Sequence, residues 1–451
     1  MAQPTKQQNI SFYEAIAISL GAIIGWGAYV MPGDLFLNAK LYGSSAAILI
    51  GTFLIVLIAK PYINLSSMES DRRLGSIGWI ATHLNRTHAL IYSWCILAGY
   101  IAIIALNISA ITLLMRYFLP ASWQIGYLYT ISGWDVYASE AAVCMAVVCL
   151  FSYTNYKGLR AGARTQLYIA LLMVLSLFAL LAASLYATPN HILPSVSAET
   201  NHAVSENGSW LAVLAVMPWA YIGFETTPQL SKVISRSKTQ TKFIILFSIA
   251  AGCFFYLAIN YLTALNLNFD YAAIAHSPWA TGEGIRHIAG TWGMAILATA
   301  MVCSILSGIN GFMLATGKLF ESMHDLGALP TWLTAPDRRF SQKRTGLLIL
   351  ILCLFAPWLG RNHLSDMVNT ASFGIAIGFF YVAFADLVRL RKNAQHPISA
   401  YLAVITSIVF IVLLLMPDAL DHLSISGIGI IITILGLCFA YLALRCRRIS
   451  C

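Results

Sequence analysis

Gly21-Ala22-Ile23-Ile24-Gly25-Trp26-Gly27-Ala28-Tyr29-Val30-Met31-Pro32-Gly33 is the stretch that decides how this chain is read. It lies in an apolar run that begins near Phe12 and is long enough to cross a bilayer as a helix. Four glycines and a proline oppose a continuous helix. At membrane depth, irregular backbone is tolerated only where it is buried in protein or lines a cavity. The segment is therefore expected to be a transmembrane helix with a break. Such a break offers N–H groups to an anion at one half-helix start and carbonyls to a cation at the other half-helix end. A zwitterion such as an amino acid satisfies both.

The rest of the composition agrees with a membrane protein. Of 451 residues, 59% are hydrophobic and 10% charged, with mean hydropathy +0.75. Soluble domains carry about 25% charge, so a soluble fold is excluded. The length suits about twelve spans of ~20 residues joined by short loops. Residues 1–10 carry only Lys6 and lack the pattern of a cleaved secretory signal, so the first span is expected to remain in the mature protein. Seven of the nine cysteines fall in apolar spans and none forms a CxxC pair, which indicates neither a disulfide framework nor a metal site.

Spans are expected near 12–37, 44–69, 88–118, 138–156, 164–186, 210–234, 241–264, 291–318, 345–360, 364–390, 400–417 and 424–444. Of the 27 basic residues, 22 then fall on the side of the N-terminus. Only Lys40, Arg116, Arg286 and Arg361 fall on the other side, and Lys60 lies inside a span, where snorkelling is the simpler reading. The positive-inside rule places both termini in the cytoplasm. The formal charge of +9 is thus a topological signal and not a nucleic-acid footprint. The organisation expected is a cytoplasmic tail (1–11), a first set of helices (12–186), an outer loop (187–209) with a sequon at Asn207, a second set (210–390), two added helices (391–444) and a cytoplasmic tail (445–451). Residues 319–344 are expected as an inner loop with a short interfacial element.

The sixth span is also interrupted. It reads Met217-Pro218-Trp219-Ala220-Tyr221-Ile222-Gly223-Phe224-Glu225-Thr226-Thr227-Pro228, and helix continuity through 221–224 is not natural around Pro218, Gly223 and Pro228. Interruptions five spans apart occupy matching places if helices one to five and six to ten form inverted repeats, the best sequence pointer to a transporter's midplane site.

Four motifs now resemble one family, the amino acid–polyamine–organocation superfamily. Gly21 to Tyr29 resembles its helix-one signature, and Ala220-Tyr221-Ile222-Gly223-Phe224-Glu225 its helix-six stretch. Asn155-Tyr156-Lys157-Gly158-Leu159-Arg160 resembles the link between helices four and five, and Met323 to Pro330 the segment after helix eight. The resemblance implies an all-α integral membrane protein of about twelve helices, with a five-plus-five inverted-repeat (LeuT-like) fold, helices 1 and 6 interrupted, and two extra helices. It implies alternating-access transport of amino acids or related amines in the plasma membrane, or the inner membrane of a bacterium, without a cofactor. A homodimer is among the assemblies open to such a chain.

The implied substrate site is equally specific. The carboxylate would meet the Gly25, Trp26 and Gly27 amides, and the amino group the carbonyls near Ile23, Ile24, Ala220 and Tyr221, beside Gly223. Trp219, Tyr221 and Phe312 are candidate rings against the substrate, each weighed against plain packing. Two departures stand out. Trp26 occupies a position usually small or hydroxylic, so its ring either reshapes the pocket or points into packing. The segment after helix eight lacks the family's basic residue.

Glu225 is the most informative single residue, because an intramembrane carboxylate is a functional candidate by default. It can carry a proton or counter a cationic substrate, and it can also cap the second half-helix. Asn107 is a candidate for bonds between helices. Ser304 and Ser307 are candidates for a sodium site, but no carboxylate joins them, which favours protons or exchange. The reading is a secondary transporter moving an amino acid as exchanger or proton symporter. Its alternatives are a polyamine or organic amine carrier and a non-transporting membrane sensor of the same fold. No nucleophile–base set or phosphate loop indicates an enzyme.

Overall fold

The computed structural model describes residues 10–66, 74–157, 159–188, 210–229, 238–271, 274, 277, 279–329 and 338–416. The expected span at 424–444, the C-terminal tail and the Asn207 sequon lie outside the described residues. In chain order the helices are α1 (Phe12–Ile23), α2 (Gly27–Val30), α3 (Pro32–Ser66), α4 (Gly75–His83) and α5 (Arg86–Phe118). A hairpin of β1 (Tyr127–Ile131) and β2 (Trp134–Tyr137) follows, then α6 (Ala138–Tyr156) and α7 (Leu159–Ala187). The second part comprises α8 (Trp210–Ala220), α9 (Thr226–Gln229), α10 (Lys238–Asn266), α11 (Ala280–Asp325), α12 (Arg338–Phe355), α13 (Arg361–Lys392) and α14 (Ile398–Leu415). Among the described residues, eight helices are long and apolar enough to cross a membrane. Three shorter apolar helices stand where the first, sixth and ninth spans are expected.

Local chemistry explains several boundaries. Ser11 and Glu14 form a capping box at the start of α1: the Glu14 N–H donates to Ser11 Oγ (3.2 Å) and the Ser11 N–H to Glu14 Oε2 (2.6 Å). Asn85 caps α5 by accepting from the His88 N–H at 2.9 Å. The hairpin turns through Ser132 and Gly133, both at positive φ, as a two-residue turn requires.

Most of the buried helix faces meet in one large apolar core, with smaller clusters beside it such as that around Phe36 and Tyr271. The large core gathers Ile24, Trp26, Tyr62, Tyr100, Tyr221, Phe224, Phe312 and Phe379. Helix α1 packs on α7, α10 and α11, while α5 lies against both α11 and α13. The outward residues of the long helices, such as Phe53, Leu175 and Val412, are exposed and apolar, as a lipid-facing surface needs. Lys60 is exposed on α3, consistent with the snorkelling reading.

Within α3 two helices meet at the non-helical Lys40, whose φ is 51°, between the expected first and second spans. Two details differ from the sequence reading. Helix α11 runs to Asp325, and Arg338, Arg339, Lys343 and Arg344 open α12 instead of lying in a loop. The expected interfacial element is thus divided between two helices. The segment between the third and fourth spans forms the β-hairpin, and Arg116 holds it down. The Arg116 guanidinium pairs bidentately with Glu140 (2.8 and 2.7 Å), donates to the Asp135 carbonyl (2.6 Å) and lies 4.0 Å above the Trp134 ring. Glu140 is 3% exposed, so removing its partner strands a buried charge. Arg116→Ala is expected to lower stability by about 3 kcal/mol, read as a lower melting temperature of the purified protein in detergent. Arg116→Lys should recover only part of it, because it cannot reproduce the two-pronged contact.

Candidate functional site

Both expected interruptions are present, and they touch. Helix α1 closes with the Ile24 N–H on the Leu20 carbonyl (2.9 Å), and the Gly25 N–H turns back to Ile23 (3.1 Å). Ile24 itself is non-helical, with φ −87° and ψ 88°. Helical bonding resumes with the Ala28 N–H on Gly25 and the Tyr29 N–H on Trp26. In the second break, residues 221–225 are a turn between α8 and α9, and Gly223 has φ 132°. A Cβ built at Gly223 would stand 2.6 Å from the Ala22 carbonyl carbon and 2.7 Å from the Ile23 nitrogen. Glycine is needed there twice over: by its backbone angle and by the approach of the other break.

The carbonyls released by the two breaks are satisfied by side chains from other helices. The Tyr256 hydroxyl of α10 reaches both the Ala220 carbonyl (2.9 Å) and the Ile23 carbonyl (3.2 Å). One proton is therefore shared between two acceptors, one from each broken helix. Ser304 Oγ of α11 donates to the Ile24 carbonyl at 2.8 Å. Deeper along α1, the Gln166 amide of α7 donates to the Ala17 and Ser307 carbonyls, both at 3.3 Å, and to Ser307 Oγ. Asn310 donates to Gln166 Oε1 at 2.9 Å. Ser304 and Ser307, the sodium candidates, are thus committed to a backbone carbonyl and to an amide.

Glu225 is fully buried. Its Oε2 accepts from the Gly223 N–H at 2.8 Å, so the carboxylate caps the turn. Its Oε1 and the Tyr100 hydroxyl of α5 have no hydrogen bond within 3.5 Å, but the two side chains lie close enough to interact. The side chain therefore bonds back to Gly223 within the turn instead of capping α9, while the carboxylate also faces Tyr100.

The candidate rings separate into two groups. Trp26 is buried in the apolar core, which answers the concern over its size: the ring lying against Gly27 belongs to Trp219, with a Cβ at Gly27 only 2.8 Å from its Cζ3. Trp219 and Gly25 are partly exposed, and a Cβ at Gly25 would meet only the Gly27 nitrogen within 4 Å. Tyr221 is buried, with its hydroxyl bonded to Thr52 of α3 and its ring 5.9 Å from Tyr256. Phe312 is buried with its ring 5.3 Å from Tyr100. Asn107 donates to Ile103 of its own helix while its side chain lies against Gly308. The segment after helix eight lacks a basic residue of its own, and Arg86 supplies one by donating to the Leu326 carbonyl at 2.9 Å.

A family model described as amino acid permease matches residues 10–444. The chain belongs to the amino acid permease family. Over 359 residues, covering 77% of each chain, the permease is 23% identical to an uncharacterised protein of Methanocaldococcus jannaschii. Membership and the apolar helices point to a multi-pass membrane transporter.

Tyr256 and Gln166 had no signal in the sequence reading. Each sits in an apolar run, and each acts on a residue about 150 or more positions away. Tyr256→Phe removes the shared donor and leaves two buried carbonyls with none. It is expected to cost about 1–3 kcal/mol, and Ser304→Ala about 1 kcal/mol. Thermal unfolding of the two purified variants beside the parent checks the order.

Proposed function

We propose that this permease moves an amino acid across the plasma membrane, or the inner membrane of a bacterium, by alternating access, as an exchanger or proton symporter. The observation that carries the reading is the contact between the two breaks at Ala22, Ile23 and Gly223, which brings half-helix ends of both signs to one place. In this reading residues 12–186 and 210–390 are two inverted repeats of five helices, followed by two more helices, with both termini cytoplasmic. The substrate carboxylate lies against the Gly25, Trp26 and Gly27 backbone, beside the partly exposed Trp219. Its ammonium takes the place of the Tyr256 hydroxyl on the Ile23 and Ala220 carbonyls, next to Ile24 and Tyr221. Phe312 and Gly223 close the pocket from behind.

That exchange is close to balanced, because an ammonium replaces a weaker neutral donor and releases Tyr256 to rotate away. Binding is thus linked to a movement of α10 against both broken helices. Glu225 carries the coupled proton, since it is fully buried and its carboxylate faces the Tyr100 hydroxyl. Ser304 and Ser307 already have partners, which supports protons or simple exchange over sodium. An organic amine is the second reading. The Trp219 ring over Gly27 narrows the carboxylate end, and Glu225 offers a counter-charge to a second cationic group.

Uptake into proteoliposomes of a panel of labelled amino acids and amines, with and without an inward proton gradient, tests the proposal. Accumulation of at least one amino acid is expected, stimulated by the gradient. Glu225→Gln should abolish the stimulation while leaving the turn hydrogen bond to Gly223 possible through its amide oxygen. Failure to transport any member of the panel contradicts the proposal.

A further inference from the structure

Tyr62, Tyr92 and Tyr100 gather beside Glu225 on one side of the breaks. All three are fully buried. The Tyr62 ring is packed edge-on against Phe224 (5.3 Å), Phe379 (6.3 Å) and Trp79 (6.3 Å). Phenylalanine would fill that space equally well and bring no polar atom. The Tyr62 hydroxyl, the Tyr100 hydroxyl and Glu225 Oε1 are all buried with no hydrogen bond within 3.5 Å, yet Tyr62 lies close enough to Tyr92, and Tyr100 to Glu225, for the polar ends of each pair to interact. Buried polar atoms left unpaired cost free energy. Three in one cluster need an explanation beyond packing.

The cluster continues in one direction. His88, Tyr92, Ile96 and Tyr100 follow one another at four-residue intervals on α5, so they share a face of that helix. Tyr100 is about 12 Å further along the axis than Tyr92, too far for a direct hop. Tyr62, reaching in from α3, interacts electrostatically with Tyr92, Tyr100 and Glu225 together. Beyond it, the Tyr92 hydroxyl donates to Ser76 Oγ of α4 at 2.8 Å. The Tyr92 ring packs on Tyr381 (6.5 Å), and the Tyr381 hydroxyl meets His88 Nδ1 at 3.3 Å. His88 is partly exposed, near the Arg86 end of α5.

We propose that Glu225, Tyr100, Tyr62, Tyr92 and Ser76 form a proton path from the helix breaks to the membrane face that carries His88 and Arg86. The proposal rests on the reading of Glu225 as the proton carrier. A proton leaves Glu225 Oε1 and forms an O–H bond to a phenol oxygen while that phenol passes its own proton onward. Glu225 is left as a carboxylate, each tyrosine keeps one proton, and Ser76 passes its own proton to solvent water at that face, so one proton is transferred and no phenolate accumulates. Tyr62 is the link that joins the deep pair to Tyr92. The titratable groups facing Glu225 are Tyr62 from α3 and Tyr100 from α5, and Tyr92 in turn faces Tyr62 and Tyr100. The neighbouring break contributes the apolar Ala22 against Gly223, and α13 contributes Phe379 stacked on Phe224.

The test uses the full permease in proteoliposomes that trap a pH-sensitive dye, with a mixture of labelled proteinogenic amino acids as probe. Tyr62→Phe and Tyr92→Phe are compared with the parent for proton entry driven by uptake and for amino acid counterflow, which needs no net proton movement. Proton entry is expected to fall roughly 100-fold in each variant while counterflow persists; the melting temperature of Tyr62→Phe does not drop, whereas Tyr92→Phe also loses its bond to Ser76 and melts somewhat lower. Unchanged proton entry in Tyr62→Phe overturns the path while leaving Glu225 as carrier. Equal loss of counterflow and proton entry also overturns it, by making Tyr62 a structural or binding residue. A parent that moves amino acids but no protons removes the carrier role of Glu225 and the path with it.

Discussion

A helix broken at membrane depth releases backbone carbonyls and N–H groups that no lipid can satisfy, and this structure depends on how those groups are met. Three neighbours do most of it. Tyr256 shares one hydroxyl proton between the Ile23 and Ala220 carbonyls, Ser304 covers Ile24, and Glu225 takes the Gly223 N–H. Each of these bonds is made by a side chain, and in the proposed transport the Tyr256 bonds are exchanged for bonds to the substrate. The same backbone bonded within an unbroken helix could not be exchanged at all.

The arrangement also sets what must stay rigid and what is free to move. Gly223 is locked by its contact with Ala22 and Ile23, so the breaks behave as one unit. The Gln166 amide ties that unit to α7 and α11 through Ala17 and Ser307. By contrast, Tyr256 reaches the breaks from α10 by the tip of one long side chain, and Trp219 covers Gly27 without a hydrogen bond to it. A firm junction with replaceable partners around it suits a site that must bind, release and change the side from which it is reached.

Much of this was legible in the sequence, and the reason is local. Glycine and proline act on their own backbone, so the interruptions at Gly25 and at 221–225 show directly. A carboxylate among apolar residues marks Glu225 without reference to any neighbour. The capping box at Ser11 and Glu14 is equally a matter of adjacent residues. The donors that satisfy the breaks are not local. Tyr256 is one of 21 tyrosines, and its role follows only from α10 lying across both breaks. Trp26 stayed open for the same reason, because a position between two glycines says nothing of which way its ring turns. Tertiary packing sends it into the core and brings Trp219 to Gly27 from the other broken helix. The hairpin after α5 went unread because its turn residues, Ser132 and Gly133, are short punctuation between segments with little apolar alternation.

The central claim is that the paired breaks hold the substrate by exchanging Tyr256 for its ammonium. An experimental structure of the purified permease saturated with an amino acid it transports tests this most directly. The account predicts the ligand carboxylate against the Gly25 to Gly27 backbone, its amino group on the Ile23 and Ala220 carbonyls, and the Tyr256 hydroxyl displaced from both. A ligand bound elsewhere, with Tyr256 still bridging the two breaks, would contradict it.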